Sequence, residues 1–100
     1  MTSPERVVVI GCGLIGTSVA MAAVRAGDSV TGIESDPVHA RVASERAAIR
    51  VSADEGALAD ATLVVVATPT ASASQRVRGA LDRARGATVT DVASVKASVV

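Results

Sequence analysis

The chain has 100 residues, ten basic and ten acidic, with a formal net charge of zero and 49% apolar content; this is the size and balance of one globular domain, residues 1–100. It contains no Phe, Trp or Tyr, and no long basic run supplies the field that holds a phosphate backbone, so nucleic acid is excluded as a partner. The apolar runs 7–10 and 63–67, like every other in the sequence, fall far short of the roughly 20 residues that cross a bilayer, which excludes a membrane span.

Met1-Thr2-Ser3-Pro4-Glu5-Arg6 runs straight into the first apolar stretch, without the basic start and long apolar middle of a secretory leader. The single cysteine, Cys12, allows no internal disulfide. Both features fit a cytoplasmic protein.

Val7, Val8, Val9 and Ile10 form a β-branched run closed by Gly11, the pattern of a parallel strand covered on both faces. From 14 to 26, Leu14, Ile15, Val19, Ala22, Ala23 and Ala26 recur at helical spacing, and Gly27 supplies a left-handed C-terminal residue. Residues 29–33 read as a second strand. Asp36 and Pro37 then open a helix, with a capping carboxylate followed by proline in the first turn; it runs to about residue 47. The charged residues between 41 and 50 read as its solvated face.

A short strand is expected near 48–51 and a fully apolar one at 63–67, ended by Thr68-Pro69-Thr70. A helix over 71–84 stops at Gly86. Residues 88–90 make the last strand, after which Asp91 and Ser94 can cap another helix. Strands alternating with helices of this length imply βαβ units, right-handed crossovers and a doubly wound parallel α/β domain.

Gly11-Cys12-Gly13-Leu14-Ile15-Gly16 is a G-x-G-x-x-G that leaves the first strand and opens the first helix, and Glu34 lies eighteen residues after Gly16 at the end of the second strand. That context is the fingerprint of a Rossmann-type dinucleotide site. Gly11 provides the tight turn, Gly13 admits a pyrophosphate to the backbone, and Gly16 lets helix and strand pack closely. Cys12, Leu14 and Ile15 complete the loop at the helix N-terminus, whose unpaired N–H groups face the phosphates. Glu34 would accept hydrogen bonds from the adenosine ribose and repel a 2′-phosphate, which favours NAD; Ser35 and Arg41 leave NADP open.

Other chemistry-bearing residues carry two readings each. Cys12 sits where a helix N-terminus can lower a thiol pKa, or is simply a small residue in a crowded turn. His39, the sole histidine, lies beside Glu34 at the adenosine end, too far from the nicotinamide end to act as a general base. One His and one Cys without convergent carboxylates make no metal site. Thr68 and Pro69 end the fourth strand beside the ligand crevice and are candidate cofactor contacts, or a plain turn with Thr70 as helix cap. Asp91, Ser94 and Lys96 follow the next strand end toward the same crevice, where capping and solvation explain them equally well.

The segments 7–20, VVVIGCGLIGTSVA, and 90–96, TDVASVK, resemble the N-terminal part of the prephenate/arogenate dehydrogenase family. The likeness covers essentially this whole chain and about the first third of a usual member. It implies NAD-dependent oxidative decarboxylation of prephenate to 4-hydroxyphenylpyruvate in tyrosine biosynthesis, with prephenate or arogenate as substrate. It also implies that Ser94 is the active-site serine that bonds the catalytic histidine and the substrate hydroxyl, with Lys96 in support. The family's Gly-x-His-Pro histidine and its helical, dimer-forming C-terminal domain have no counterpart before Val100. The expectation is therefore an incomplete Rossmann-type sheet that binds cofactor but hardly turns over, with a homodimer only for a full-length member. A non-catalytic NAD-sensing module, and another imine or hydroxyacid dehydrogenase or reductase of this fold, are the other readings of the same residues.

Overall fold

The computed structural model describes residues 5–53, 56–68, 78–79 and 86–92. In chain order it contains β1 (Arg6–Ile10), α1 (Leu14–Arg25), β2 (Ser29–Ile33), α2 (Pro37–Ala47), β3 (Arg50–Ser52), a 3-10 turn (Gly56–Asp60), β4 (Leu63–Val66) and β5 (Thr88–Asp91). The strands form one sheet in the order β3-β2-β1-β4-β5. Every neighbouring pair is parallel. This is a Rossmann-type doubly wound α/β fold, with β1 at its centre between β2 and β4.

After the exposed Arg6, β1 is apolar throughout, as is β4, because both faces of the sheet are covered there. Successive residues of β1 alternate between them. Val8 and Ile10 pack with Ile33, Leu58, Ala61, Val64 and Val66 on one face; Val7 and Val9 pack with Ala20, Ala47, Ile49 and Val65 on the other. The second face is the one that α1 and α2 cover. Each fully buried Val contributes about 1.5–3 kcal/mol, so repetition of small branched side chains replaces the aromatic groups the chain lacks.

The inward face of α1 differs from the apolar spacing in the sequence. Leu14 is 85% and Ile15 46% exposed, and Ala22 and Ala26 are exposed too, whereas Gly16, Thr17 and Ala20 are buried. The helix approaches the β1 turn so closely that only small side chains fit beneath it. Its end matches expectation: Gly27 has φ +89°, its N–H bonds Val24 O, and the Asp28 N–H bonds Ala23 O, which satisfies the last carbonyls. Asp36 caps α2 by accepting from the N–H groups of Val38 (2.8 Å) and His39 (3.3 Å). That helix ends on Ala48 at φ 55°, ψ 44°, a left-handed position where glycine is the usual occupant.

The weak strand expected near 48–51 is β3, displaced toward Ser52 because Ile49 turns inward before the strand pairs with β2. Arg78 and Gly79 are helical; the rest of the helix expected over 71–84 lies outside the described residues, as do Pro69, Thr70, Ser94 and Lys96. Among the described residues no helix is long and apolar enough to cross a membrane.

Candidate cofactor-binding site

β1 leads to β2 on one side, whereas β4 pairs along its other edge, so the loops after β1 and β4 part and leave a crevice at the carboxyl end of the sheet. Gly11 starts the first loop. Its φ of +89° places it in the left-handed region, and an added Cβ would lie 2.9 Å from both the Thr68 nitrogen and Thr68 Cγ2. Glycine is therefore required twice over, by backbone and by space. A Cβ on Gly16 would overlap the Gly11 carbonyl oxygen, while one on Gly13 would meet no heavy atom within 4 Å. Gly11 and Gly16 hold the turn together, and Gly13 leaves an open cradle at the helix start.

Among the described residues no side chain caps α1, and its first turn carries no acidic residue. Its first N–H groups are thus left for a ligand, with the positive end of the helix dipole behind them. Glu34, just past β2, reaches this loop. Its Oε1 accepts the Cys12 N–H at 2.7 Å and its Oε2 accepts the Asp36 N–H at 2.9 Å. The carboxylate joins the glycine loop to the cap of α2, and each oxygen keeps further acceptor capacity. His39 Nδ1 lies 3.9 Å from Glu34 Oε1, at the β2 side of the crevice and remote from β4. Arg41 turns along α2, its Nε donating to Glu45 Oε1 at 3.2 Å.

The structure corrects the reactive reading of Cys12. Its side chain is buried, and the thiol is pushed up to about 11, chiefly by burial and then by the Glu34 charge, against a main-chain hydrogen bond at Ile33 that lowers it. Desolvation outweighs the helix N-terminus. Leu14 and Ile15 lie exposed at the start of α1.

Thr68 closes the crevice on the β4 side. Its Oγ1 is buried and has no hydrogen-bond partner among the described residues. Asp91, in register with Val66 on β4, lies on the same strand-end row as Ile10 and Ile33. Two contributors were not picked out from the sequence. Thr17, buried on α1, donates its hydroxyl to the Cys12 carbonyl at 3.1 Å, and Gly32 on β2 faces the Cys12 thiol. An isolated glycine one residue from the end of a strand was the available signal for the second.

The family described as NADP oxidoreductase, coenzyme F420-dependent, matches residues 6–95. The chain belongs to this family. It is an oxidoreductase domain of the NAD(P)-dependent Rossmann kind. Arogenate dehydrogenase from Synechocystis is 26% identical, aligned over 86% of this chain and 32% of its own, with a TM-score of 0.76. Prephenate dehydrogenase from A. aeolicus, solved with hydroxyphenyl propionate and NAD+, is 22% identical over 90% of this chain and 34% of its own, with a TM-score of 0.77. An imine reductase variant from Myxococcus stipitatus, solved with NAD+, is 20% identical over 89% of this chain and 32% of its own, with a TM-score of 0.71. This member of the family thus spans about a third of the length of each. No curated protein sequence matches it.

Proposed function

We propose that the chain is the NAD-binding part of a cytoplasmic prephenate or arogenate dehydrogenase. The observation that carries the cofactor assignment is the Glu34 carboxylate, held at the end of β2 against the Cys12 N–H. Residues of the crevice fit a dinucleotide: the Gly13 cradle and the uncapped start of α1 suit a pyrophosphate, with Leu14 and Ile15 at its edge. Glu34 has acceptor capacity left for ribose hydroxyls, and the unpartnered Thr68 hydroxyl, with Pro69 next in sequence, would meet the other end of the cofactor.

The family description names NADP, whereas a carboxylate at this position repels a 2′-phosphate and Arg41, the nearby cation, is engaged by Glu45. NAD is therefore the assigned cofactor. The prephenate assignment is supported by the TDVASVK segment and by the likeness to the Synechocystis and A. aeolicus enzymes. When bound, NAD supplies a hydride acceptor. Gly11, Cys12 and Gly13 would hold its phosphates, Glu34 would orient its adenosine end, and Ser94 is assigned to bond the substrate hydroxyl.

A second reading is favoured by the imine reductase likeness and by 3-hydroxyisobutyrate dehydrogenase from M. tuberculosis, with a TM-score of 0.70; it differs in substrate and shares the cofactor. Calorimetric titration with NAD+ and NADP+, repeated on Glu34→Ala, tests the cofactor: NAD+ binds more tightly than NADP+, and the substitution weakens it by about tenfold or more. Grafting the chain in place of the matching third of the A. aeolicus enzyme tests the reaction. Prephenate-dependent NADH formation that falls on Ser94→Ala is expected. A graft that binds NAD+ and reduces it with neither prephenate nor arogenate overturns the assignment.

A further inference from the structure

Gly32 is an anomaly in β2. A glycine inside a strand costs order and packs nothing, and here it stands between Val9 of β1 and Val51 of β3, where a β-branched residue would serve the sheet better. What occupies the missing side chain's place is Cys12. A Cβ on Gly32 would lie 2.7 Å from Cys12 Sγ, 3.2 Å from Val51 Cγ2 and 3.4 Å from Ile49 Cδ1. The first distance cannot be accommodated without displacing the sulfur. The other two involve ends of side chains that need give by only a few tenths of an ångström or not at all.

Cys12 is itself the middle residue between the two loop glycines, and each part of it is anchored. Its N–H donates to Glu34, its carbonyl accepts the Thr17 hydroxyl, and its thiol fills the Gly32 notch with Sγ 3.8 Å from Val9 O. A residue held on three sides has little freedom to tilt, and the backbone on either side of it inherits that rigidity. Preformed donors bind an anion without the ordering cost that a mobile loop would incur.

We propose that Gly32 is a positioning residue for cofactor binding: by leaving room for the Cys12 side chain in the sheet, it sets the orientation of the phosphate-binding loop. Gly32 touches no cofactor and acts only through Cys12. The proposal rests on the dinucleotide reading above for its effect on affinity, and on geometry alone for the notch.

The test uses four forms of the chain: wild type, Gly32→Ala, Cys12→Ala and the double variant. Because Cys12 is the only cysteine, labelling by a disulfide reagent reports its release without ambiguity. Gly32→Ala is expected to label about tenfold faster than wild type under native conditions and to bind NAD+ about tenfold more weakly, the equivalent of roughly one charge-assisted hydrogen bond. Cys12→Ala removes the thiol that anchors the loop and is expected to weaken NAD+ binding by itself, but the double variant is expected to bind within about threefold of Cys12→Ala, because no sulfur remains to collide with the new methyl group. A double variant that folds and binds like Cys12→Ala supports the proposal even where Gly32→Ala fails to fold. Wild-type labelling and affinity in Gly32→Ala, or a double variant that binds about tenfold more weakly than Cys12→Ala, overturn it. A wild-type chain that binds neither NAD+ nor NADP+ refutes the dinucleotide reading instead, and the labelling rates then still decide the notch.

Discussion

A methyl group on Gly16 would overlap the carbonyl oxygen of Gly11, whereas one on Gly13 would point into open space. The two glycines of one motif therefore fail in different ways. Gly16→Ala forces α1 away from the turn and is expected to lower stability by about 1–3 kcal/mol, read as a lower melting temperature. Gly13→Ala is expected to melt like wild type and to lose about tenfold or more in NAD+ affinity, read by calorimetry. Equal losses of stability in both would contradict the division of labour.

Glu34 spends one carboxylate oxygen on Cys12 and the other on Asp36. Replacing it by Gln turns one acceptor into an NH2 group facing a main-chain N–H, and removes the charge that repels a 2′-phosphate. NAD+ affinity in Glu34→Gln is expected to fall by about tenfold, since hydrogen bonds to charged groups are worth about 1.5–3 kcal/mol. NADP+ affinity is expected to fall less or to rise, so the ratio measured by paired titrations shifts toward NADP+.

Much of this is legible in the sequence. The alternation of apolar runs with helical spacing placed all five strands, and the glycine fingerprint placed the tight turn between β1 and α1, because each depends on local pattern. The face of α1 was not legible in the same way. Leu14 and Ile15 fall on a plausible apolar stripe, but the stripe that faces the sheet is chosen by the closeness of helix to turn, which is a tertiary quantity and selects Gly16, Thr17 and Ala20. The Gly32 notch escaped for a related reason: the residue that fills it comes from another strand's end, twenty positions earlier.

Burial also sets the pH response of Cys12. Its thiol ordinarily ionises near 9.0 and in the folded chain near 11, so between those values the unfolded chain has released a proton that the folded chain still holds. Stability from this residue is complete below about pH 9 and is lost as pH rises toward 11, by about 3 kcal/mol in total. Chemical denaturation across pH 8–11 is expected to show that decline in wild type and a much smaller one in Cys12→Ala.

The Thr68 hydroxyl has no hydrogen-bond partner among the described residues. Replacing a buried unpaired polar group by an apolar one of the same shape is neutral or stabilising. Thr68→Val is thus expected to melt at or above the wild-type temperature. If the hydroxyl serves the cofactor, the same variant binds NAD+ several-fold more weakly in calorimetry; unchanged affinity would assign Thr68 to packing against Gly11 alone.

Ala48 closes α2 with a left-handed backbone. That conformation costs a side-chain-bearing residue about 1–2 kcal/mol, of which the greater unfolded-state freedom of glycine returns part. Ala48→Gly is expected to raise stability by about 0.5–1 kcal/mol in denaturant titration, with cofactor affinity unchanged because the position is remote from the crevice.

The aromatic-free core has an optical consequence. With no Trp, Tyr or Phe in the chain, the protein is nearly silent in the near ultraviolet, in absorbance, emission and circular dichroism alike. Any signal that develops there on adding a nicotinamide nucleotide comes from the nucleotide. The handedness and intensity of that induced band would report how rigidly the crevice holds the bound ring, with no protein background to subtract.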